Sequence, residues 1–506
     1  MGRSAPRSTH LGALAVGLVA AAGGAYFLFR EHDIAGTWGF SLDDSWIHAT
    51  VARNLASGHG YSFNPGEATG GSTAPLYTFL LAGLFAVVGP TVWAAKSIGI
   101  AAHVAAAVLL FRALRTALPA NGWTNWALAV VTAASPSLLW AAVSGMEISL
   151  YILLLVIGLQ CYLGEKYLLA TAFWSLGVWV RPDGIVLAIL AVFFLRGTFV
   201  PRLGTFLALF VPYTLFNLAM GHSPFPTSVA TKAHWSGFDV FQVGRFLQAQ
   251  TSLWGIAANP FAGVVHSPLL IVGALVGGLF AGSATRFLLA GAVLLELGFS
   301  LVAADPGPQH RYVLPLVPVF AVLAAFGWRR VQERVRPRAT ASAQLLAGAL
   351  VLAPLPFAVP RMAEAHAWNV QNINGMHRFL GESMNRLAAP TDTVATNDIG
   401  AIGFFSGRYV VDLVGLISPR HSLTENLTRY RPRYLILFPN WYRPEAHVDS
   451  ATSDVYFDDG DSTYRYWGLF GVKLRHNTVA ARDMMLTCVR KSRASPPPQN
   501  RWMYEH

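Results

Sequence analysis

Runs of apolar residues recur along this chain at the length that a bilayer core demands of a helix, about 20 residues. Counted between charged or Pro/Gly breaks, they lie near residues 11–29, 93–111, 124–143, 147–163, 167–181, 184–196, 203–220, 266–282, 286–303, 311–328 and 343–359. That predicts about eleven spanning helices. Composition agrees, since only 12% of the 506 residues are charged and 54% are hydrophobic, against about 25% charged in soluble domains. The expected class is an all-α polytopic membrane protein.

Charge gives the helices a direction. The 37 Lys and Arg exceed the 26 Asp and Glu by 11, an excess that suits nucleic acid, anionic lipid or cytoplasmic loops. With a cytoplasmic N-terminus, Arg3 and Arg7, Arg112 and Arg115, Lys166, Arg196 and Arg202, Arg286 and the cluster Arg329, Arg330, Arg334, Arg336 and Arg338 all fall inside, as the positive-inside rule asks. Basic residues dispersed in this way argue against nucleic-acid binding. The run from Pro75 to Val88 ends at Gly89-Pro90, and at about fourteen residues it reads as an interfacial or re-entrant helix, 76–89. Counting it as a span would turn every later basic cluster outward. The N-terminal run Leu11–Phe29 is read as a span; a signal peptide is the alternative, though the run exceeds the roughly 7–15 residues of an h-region.

On this reading residues 1–359 form the membrane module, with 30–75 as a first outer loop carrying interfacial helices. Residues 360–490 form a C-terminal extracytoplasmic α/β domain, and 491–506, with Pro496-Pro497-Pro498, a disordered tail. Strand-like segments in the outer domain are Asp392–Phe404, Arg408–Leu416, Tyr434–Phe438, Val472–His476 and Met484–Arg490. Cys161 and Cys488 are too few and too far apart for a disulfide framework or a metal cluster.

The outer loop contains Asp43-Asp44-Ser45-Trp46-Ile47, followed by Val51, Arg53 and Leu55. Ile47, Val51 and Leu55 have helical spacing, which predicts an amphipathic helix on the membrane with the Asp pair at its N-terminus. An aspartate there is an ordinary helix cap as well as a candidate base. Other ionisable groups gather on the same outer side: Lys96, Glu147, Arg181, Asp183, Lys232, His310 and Arg311. Singly, the cations read as snorkelling side chains, Arg181 and Asp183 as a pair, and Glu147 as a cap. His48, His59, His222, His234 and His310 show no metal spacing. Together, a carboxylate able to take a hydroxyl proton and cations able to hold a phosphate fit glycosyl transfer from a lipid phosphate. There is no P-loop, no G-x-G-x-x-G after a strand and no separated D-x-D, so a nucleotide-sugar donor is not indicated.

The string Asp43-Asp44-Ser-Trp-Ile through Arg53-Asn54-Leu55, then Gly58-His59-Gly60, Phe63-Asn64-Pro65-Gly66-Glu67 and Gly71-Ser72-Thr73-Ala74-Pro75-Leu76, resembles the first outer loop of the GT-C superfamily of polyprenyl-phosphate-sugar glycosyltransferases. The mycobacterial terminal arabinofuranosyltransferase group and its bacterial relatives are most alike. Ser144-Gly145-Met146-Glu147, Arg181-Pro182-Asp183-Gly184, Pro226-Thr227 to Lys232, Arg311 to Pro315, Asp398-Ile399-Gly400-Ala401-Ile402-Gly403 and Asp412-Leu413-Val414-Gly415-Leu416 extend the likeness. Phe225-Pro226-Thr227 departs from the group's Pro-Asn-Thr.

The resemblance implies a multi-pass enzyme of the bacterial plasma membrane whose active site is extracytoplasmic. Its donor would be a polyprenyl-phosphate-linked sugar and its acceptor a glycan, lipid or protein. It implies Asp43 as base, Asp44 as a ligand of acceptor or ion, and Lys232 and Arg311 on the donor phosphate. His310, Arg53, Glu147 and Lys96 are further substrate-binding candidates. It requires no particular cofactor and leaves a divalent cation open. The rival classes are a lipid-linked-sugar flippase or transporter, whose ionisable groups should line a path through the membrane, and a non-catalytic scaffold.

Overall fold

The computed structural model describes residues 7–119, 122–227, 268–280, 282–302, 310–334, 337–438, 446–448, 454–457, 464–471, 474–475, 477, 480 and 483–490. Lys232, His234 and the tail 491–506 lie outside the described residues. The apolar runs form helices: α1 (Arg7–Ala35), α2 (Asp43–Ala56), α3 (Pro75–Val88), α4 (Val92–Ala117), α5 (Gly122–Ala133), α6 (Pro136–Val143), α7 (Ile148–Leu163), α8 (Tyr167–Gly177), α9 (Ile185–Phe194) and α10 (Phe199–Gly221). They continue as α11 (Pro268–Phe280), α12 (Ser283–Val302), α13 (Leu316–Gln332), α14 (Pro337–Leu352) and α15 (Leu355–Ile373).

Length sorts these helices. Among the described residues four, Thr9–Ala35, Val92–Ala117, Phe199–Gly221 and Leu345–Leu387, are long and apolar enough to cross a membrane. The pair α5 and α6, bent by 44°, makes a fifth if counted as one broken span. The bend falls where the Ser135 side chain accepts the Leu138 N–H and where Pro136 interrupts the helical ladder. The chain is a multi-pass membrane protein, but the predicted count of spans is not reproduced among the described residues. α7, α8, α9 and α11 have 16, 11, 10 and 13 residues, below the usual spanning length. Turns at Gly164 and at Pro182–Gly184 close α7 and separate α8 from α9.

The main core is formed where α4, α6, α7, α8 and α13 bury Leu110, Trp140, Leu155, Trp174 and Leu323. Toward the C-terminal end of α1 lies a wholly buried charge network. Glu31 Oε2 pairs with Lys96 Nζ of α4 at 2.8 Å and with His366 Nε2 of α15 at 2.9 Å. The Gly39 N–H donates to Glu31 Oε1 at 3.0 Å, and Lys96 donates to the Val143 carbonyl at 2.9 Å. Both backbone contacts hold segments that lead to further charged groups, Gly39 toward Asp43 and Val143 toward Glu147.

The boundary expected at residue 360 falls inside α15, which runs through a π-turn, Asn374–Arg378, into α16 (Phe379–Leu387). Beyond it come β1 (Thr393–Thr396), α17 (Gly400–Ser406), β2 (Tyr409–Asp412), α18 (Leu423–Tyr430), β3 (Tyr434–Leu437), β4 (Ala446–Val448), β5 (Asp454–Phe457), β6 (Tyr464–Gly471) and β7 (Met484–Arg490). They build a mixed seven-stranded sheet in the order β2-β1-β3-β7-β6-β5-β4, with β1 parallel to β2 and β3 and the remainder antiparallel. The strands expected within 408–416, 434–438 and 484–490 are present. Asp392–Phe404 is instead a strand, a turn and a helix, Leu474 and Arg475 are not in a strand, and β4, β5 and β6 were not foreseen.

Helix α2 is not a surface helix. Ser45 to Ala52 are all buried; Ile47 and Val51 pack with Ile399, Val410 and Ile417 of the C-terminal region, and Trp46 sits among Phe40, Phe404 and Phe405. The apolar stripe expected to face the membrane is thus covered by protein. Spacing reveals that a stripe exists, not what covers it.

Candidate active site

The turn between α6 and α7, the Arg181–Gly184 turn, the start of α2 and the end of α12 converge on one cavity of about 360 Å³. Its polar wall holds Asp44, His48, Glu147, Arg181, Asp183 and Arg311, and its apolar wall includes Ile47, Val186, Leu295 and Phe299. Arg311 Nη2 lies 2.8 Å from Asp44 Oδ2. Arg181 bonds Glu147 Oε1 through Nη1 at 3.0 Å and Asp183 Oδ1 through Nε at 3.0 Å. His48 joins them, with Nε2 3.5 Å from Glu147 and Nδ1 2.8 Å from Ser72 Oγ.

Local backbone explains why these groups meet. Gly145 adopts φ +79° and a Cβ there would strike the Phe40 ring, so only glycine makes the turn that delivers Glu147. Tyr77 Oη donates to the Gly145 carbonyl at 2.6 Å and Ser45 Oγ to the Ser144 carbonyl at 2.8 Å, tying the turn to α3 and α2. His310 also takes a left-handed φ of 57°, opening the turn that carries Arg311, with the Val313 N–H on its carbonyl at 3.0 Å. His310 does not line the cavity; its position is that of a turn former.

The two aspartates part company. Asp43 does not line the cavity. Its Oδ2 accepts the Gly400 N–H at 2.7 Å and its Oδ1 the Ala401 N–H at 2.8 Å, so it binds the start of α17. The expected self-cap is absent, because Leu42 is the N-cap of α2 and no side chain caps it. Close by, His377 Nε2 lies 2.8 Å from Asp398 Oδ2. Burial and the neighbouring Asp398 charge push the Asp43 carboxyl up to about 6, against the pull of His377 and the two amides.

The expectation that Asp43 faces Arg311 is therefore corrected: Asp44 does. Lys96 is fully buried against Glu31, and Arg53 donates to the Phe404 carbonyl at 2.7 Å with its guanidinium over the Phe404 ring. Both of these candidate substrate ligands make internal contacts and neither lines the cavity. Glu147 does line it, as an ion-pair partner and with no side-chain capping bond. Arg181 and Asp183 form the pair expected of them but were not assigned a role at the site, and His48 was weighed only as a metal ligand. The Arg181-Pro182-Asp183-Gly184 string was the signal for two of them, since opposite charges around a proline turn at a helix end are rarely idle in a membrane. No group of three or more His, Cys, Asp or Glu that could hold a metal occurs among the described residues. The counter-charge at Asp44 is Arg311, so these residues do not fit a divalent cation.

Over 96% of this chain and 98% of that chain, the fold is similar to ArnT from Cupriavidus metallidurans bound to undecaprenyl phosphate, at 12% identity and a TM-score of 0.57. It is also similar to the Archaeoglobus fulgidus oligosaccharyltransferase AglB in complex with an inhibitory peptide and a dolichol-phosphate, at 12% identity and a TM-score of 0.55, over 84% of this chain and 69% of that one. Such identities establish a shared fold alone. A family model described as "Domain of unknown function (DUF8728)" matches residues 363–486. No curated protein matches.

Proposed function

We propose that this chain is an integral-membrane inverting glycosyltransferase that moves a sugar from a polyprenyl-phosphate donor to an extracytoplasmic glycan, lipid or protein acceptor. The observation that carries the reading is the Asp44–Arg311 pair, 2.8 Å apart, on the wall of a cavity whose other side is the apolar flank of α12. A lipid phosphate needs both surfaces: aliphatic wall for its chain and guanidinium for its charge.

In this mechanism Arg311 and Arg181 hold the donor phosphate. Arg311 has the donors to spare, because its buried Nε and Nη1 have no hydrogen-bond partner among the described residues. Asp44 takes the proton of the acceptor hydroxyl as that oxygen attacks the anomeric carbon, the bond to the phosphate breaks, and the configuration inverts. The leaving phosphate carries the negative charge that the arginines neutralise. The base is Asp44 rather than Asp43, since a residue whose two oxygens hold backbone amides outside the cavity is poorly placed to meet a hydroxyl. Lys232 is kept as a further phosphate ligand on the strength of the sequence resemblance alone, as is the kinship to the arabinofuranosyltransferase group. The bacterial plasma membrane is likewise carried by the resemblance. The extracytoplasmic placement of site and C-terminal domain follows from the positive-inside reading.

The test is transfer of radiolabelled sugar from a polyprenyl-phosphate donor in membranes containing wild type, Asp44→Asn or Asp43→Asn at equal expression. Loss in Asp44→Asn with partial activity in Asp43→Asn is expected. Equal transfer by wild type and Asp44→Asn would overturn the assignment.

A further inference from the structure

His48 follows Asp44 by one turn of α2, and both line the cavity. Its ring is fixed from behind. Nδ1 lies 2.8 Å from Ser72 Oγ, which is 2.7 Å from Thr78 Oγ1 of α3, and the ring meets Tyr77 in a T-shaped contact at 5.6 Å. Tyr77 in turn donates to the Gly145 carbonyl of the turn that delivers Glu147. One hydrogen-bonded frame thus sets both the imidazole and the carboxylate.

The pair so presented is incomplete. His48 and Glu147 are each only 3% exposed. Arg181 occupies Glu147 Oε1, but the buried Oε2 has no hydrogen-bond partner among the described residues, and His48 Nε2, 3.5 Å away, stands beyond the usual N–H···O distance. A buried carboxylate oxygen without a donor is destabilising, and a ligand that supplies one removes the penalty. The tautomer follows from the neighbours. Paired with Arg181, Glu147 only accepts, so the imidazole nitrogen that faces it carries the proton and Nδ1 accepts from Ser72. One donor and one acceptor therefore stand side by side on the cavity wall. A hydroxyl uses both, accepting from Nε2 and donating to Oε2. An ammonium or an acetamido N–H could serve the carboxylate, but neither nitrogen has a lone pair for the imidazole.

Arg181 indicates which hydroxyl. In the transfer reading its guanidinium holds the donor phosphate, and it bonds Glu147 Oε1 directly at 3.0 Å, so Oε2 lies one carboxyl width from that phosphate. In a glycosyl phosphate the hydroxyl nearest the phosphate is on the carbon next to the anomeric one. We infer that His48 and Glu147 are specificity-determining residues that read this 2-hydroxyl, and that the donor is a sugar carrying it free rather than a 2-amino or 2-acetamido sugar. The inference rests on the transfer reading and narrows its donor.

The experiment is calorimetric binding to the full chain in nanodiscs of farnesyl C-phosphonates of glucopyranose, mannopyranose, galactopyranose and arabinofuranose, which cannot transfer their sugar. Each is prepared with the 2-hydroxyl, without it, and with a 2-acetamido group in its place; farnesyl phosphate is the sugar-free control. Wild type is expected to bind at least one 2-hydroxy probe, and to bind its 2-deoxy and 2-acetamido forms about 10–100-fold more weakly. His48→Phe and Glu147→Gln should shrink that preference to about threefold or less while binding farnesyl phosphate as wild type does. Residues that merely held the fold would weaken every probe alike. His48→Phe leaves the Arg181–Glu147 pair in place and keeps the result readable should Glu147→Gln misfold. Equal binding of the three forms, no binding of any 2-hydroxy probe, or a preference that survives both variants overturns the inference. The two readings fail separately. If transfer is wrong, wild type moves no labelled sugar though the hydroxyl preference stands; if only the hydroxyl assignment is wrong, transfer proceeds while all three forms bind alike.

Discussion

Asp43 and Asp44 do different work because consecutive residues of an α-helix point about 100° apart. One carboxylate enters the cavity and pairs with Arg311; the other turns to the backbone amides of Gly400 and Ala401. Asp44→Asn should lower transfer by about 10²–10⁴-fold, the usual cost of losing a general base, read as a fall in kcat/KM with an unchanged melting temperature. Asp43 invites a pH experiment. Its folded pKa of about 6 is raised from 3.8, so the fold favours its protonated form. That stability is complete below the unfolded value of 3.8 and is lost as pH rises through about 6. The melting temperature of wild type should therefore fall between pH of about 5 and about 7 more than that of Asp43→Asn, measured by thermal melts in nanodiscs.

Among the elements, α1, α4 and α15 are joined by Glu31, Lys96 and His366, all fully buried. Removing one partner leaves a bare charge in an apolar interior. Lys96→Met should cost about 3–5 kcal/mol, and adding Glu31→Gln should recover much of it, tested by a double-mutant series of melting temperatures. Helix α17 meets α2 just as closely. A Cβ on Gly400 would collide with the Asp43 backbone carbonyl, so Gly400→Ala should push α17 away and loosen the link between α2 and the C-terminal region. The expected outcome is a loss of about 1–3 kcal/mol, within the range for small-to-large substitution in a packed site, with a lower melting temperature than wild type. The Asp398–Gly403 string shows how such a contact can be visible without being interpretable. Its glycines could be read in the sequence, but the carboxylate that Gly400 approaches is 357 residues away.

At the scale of the molecule, the C-terminal region closes on the segment that runs from α2 to α3, with Asn64 on Val410, Thr69 on Ile417 and Asp43 on Gly400. If that face is external, Glu67→Cys in a Cys161→Ser background should react with a membrane-impermeant maleimide on spheroplasts, and Glu333→Cys only after permeabilisation. The reverse pattern would invert the topology. The sequence alone determined that this chain is a helical membrane protein with a C-terminal α/β region, because apolar run length and strand-like patterning are local quantities that can be read without a fold. It also marked Asp43-Asp44, Glu147 and Arg311 as the charged groups worth watching. Only the tertiary structure decided which aspartate faces the arginine, that Lys96 and Arg53 make internal contacts, and that α2 is buried under protein rather than lying on lipid. Those outcomes depend on the direction of a side chain and on partners hundreds of residues distant, and neither is encoded in the spacing of residues along one helix.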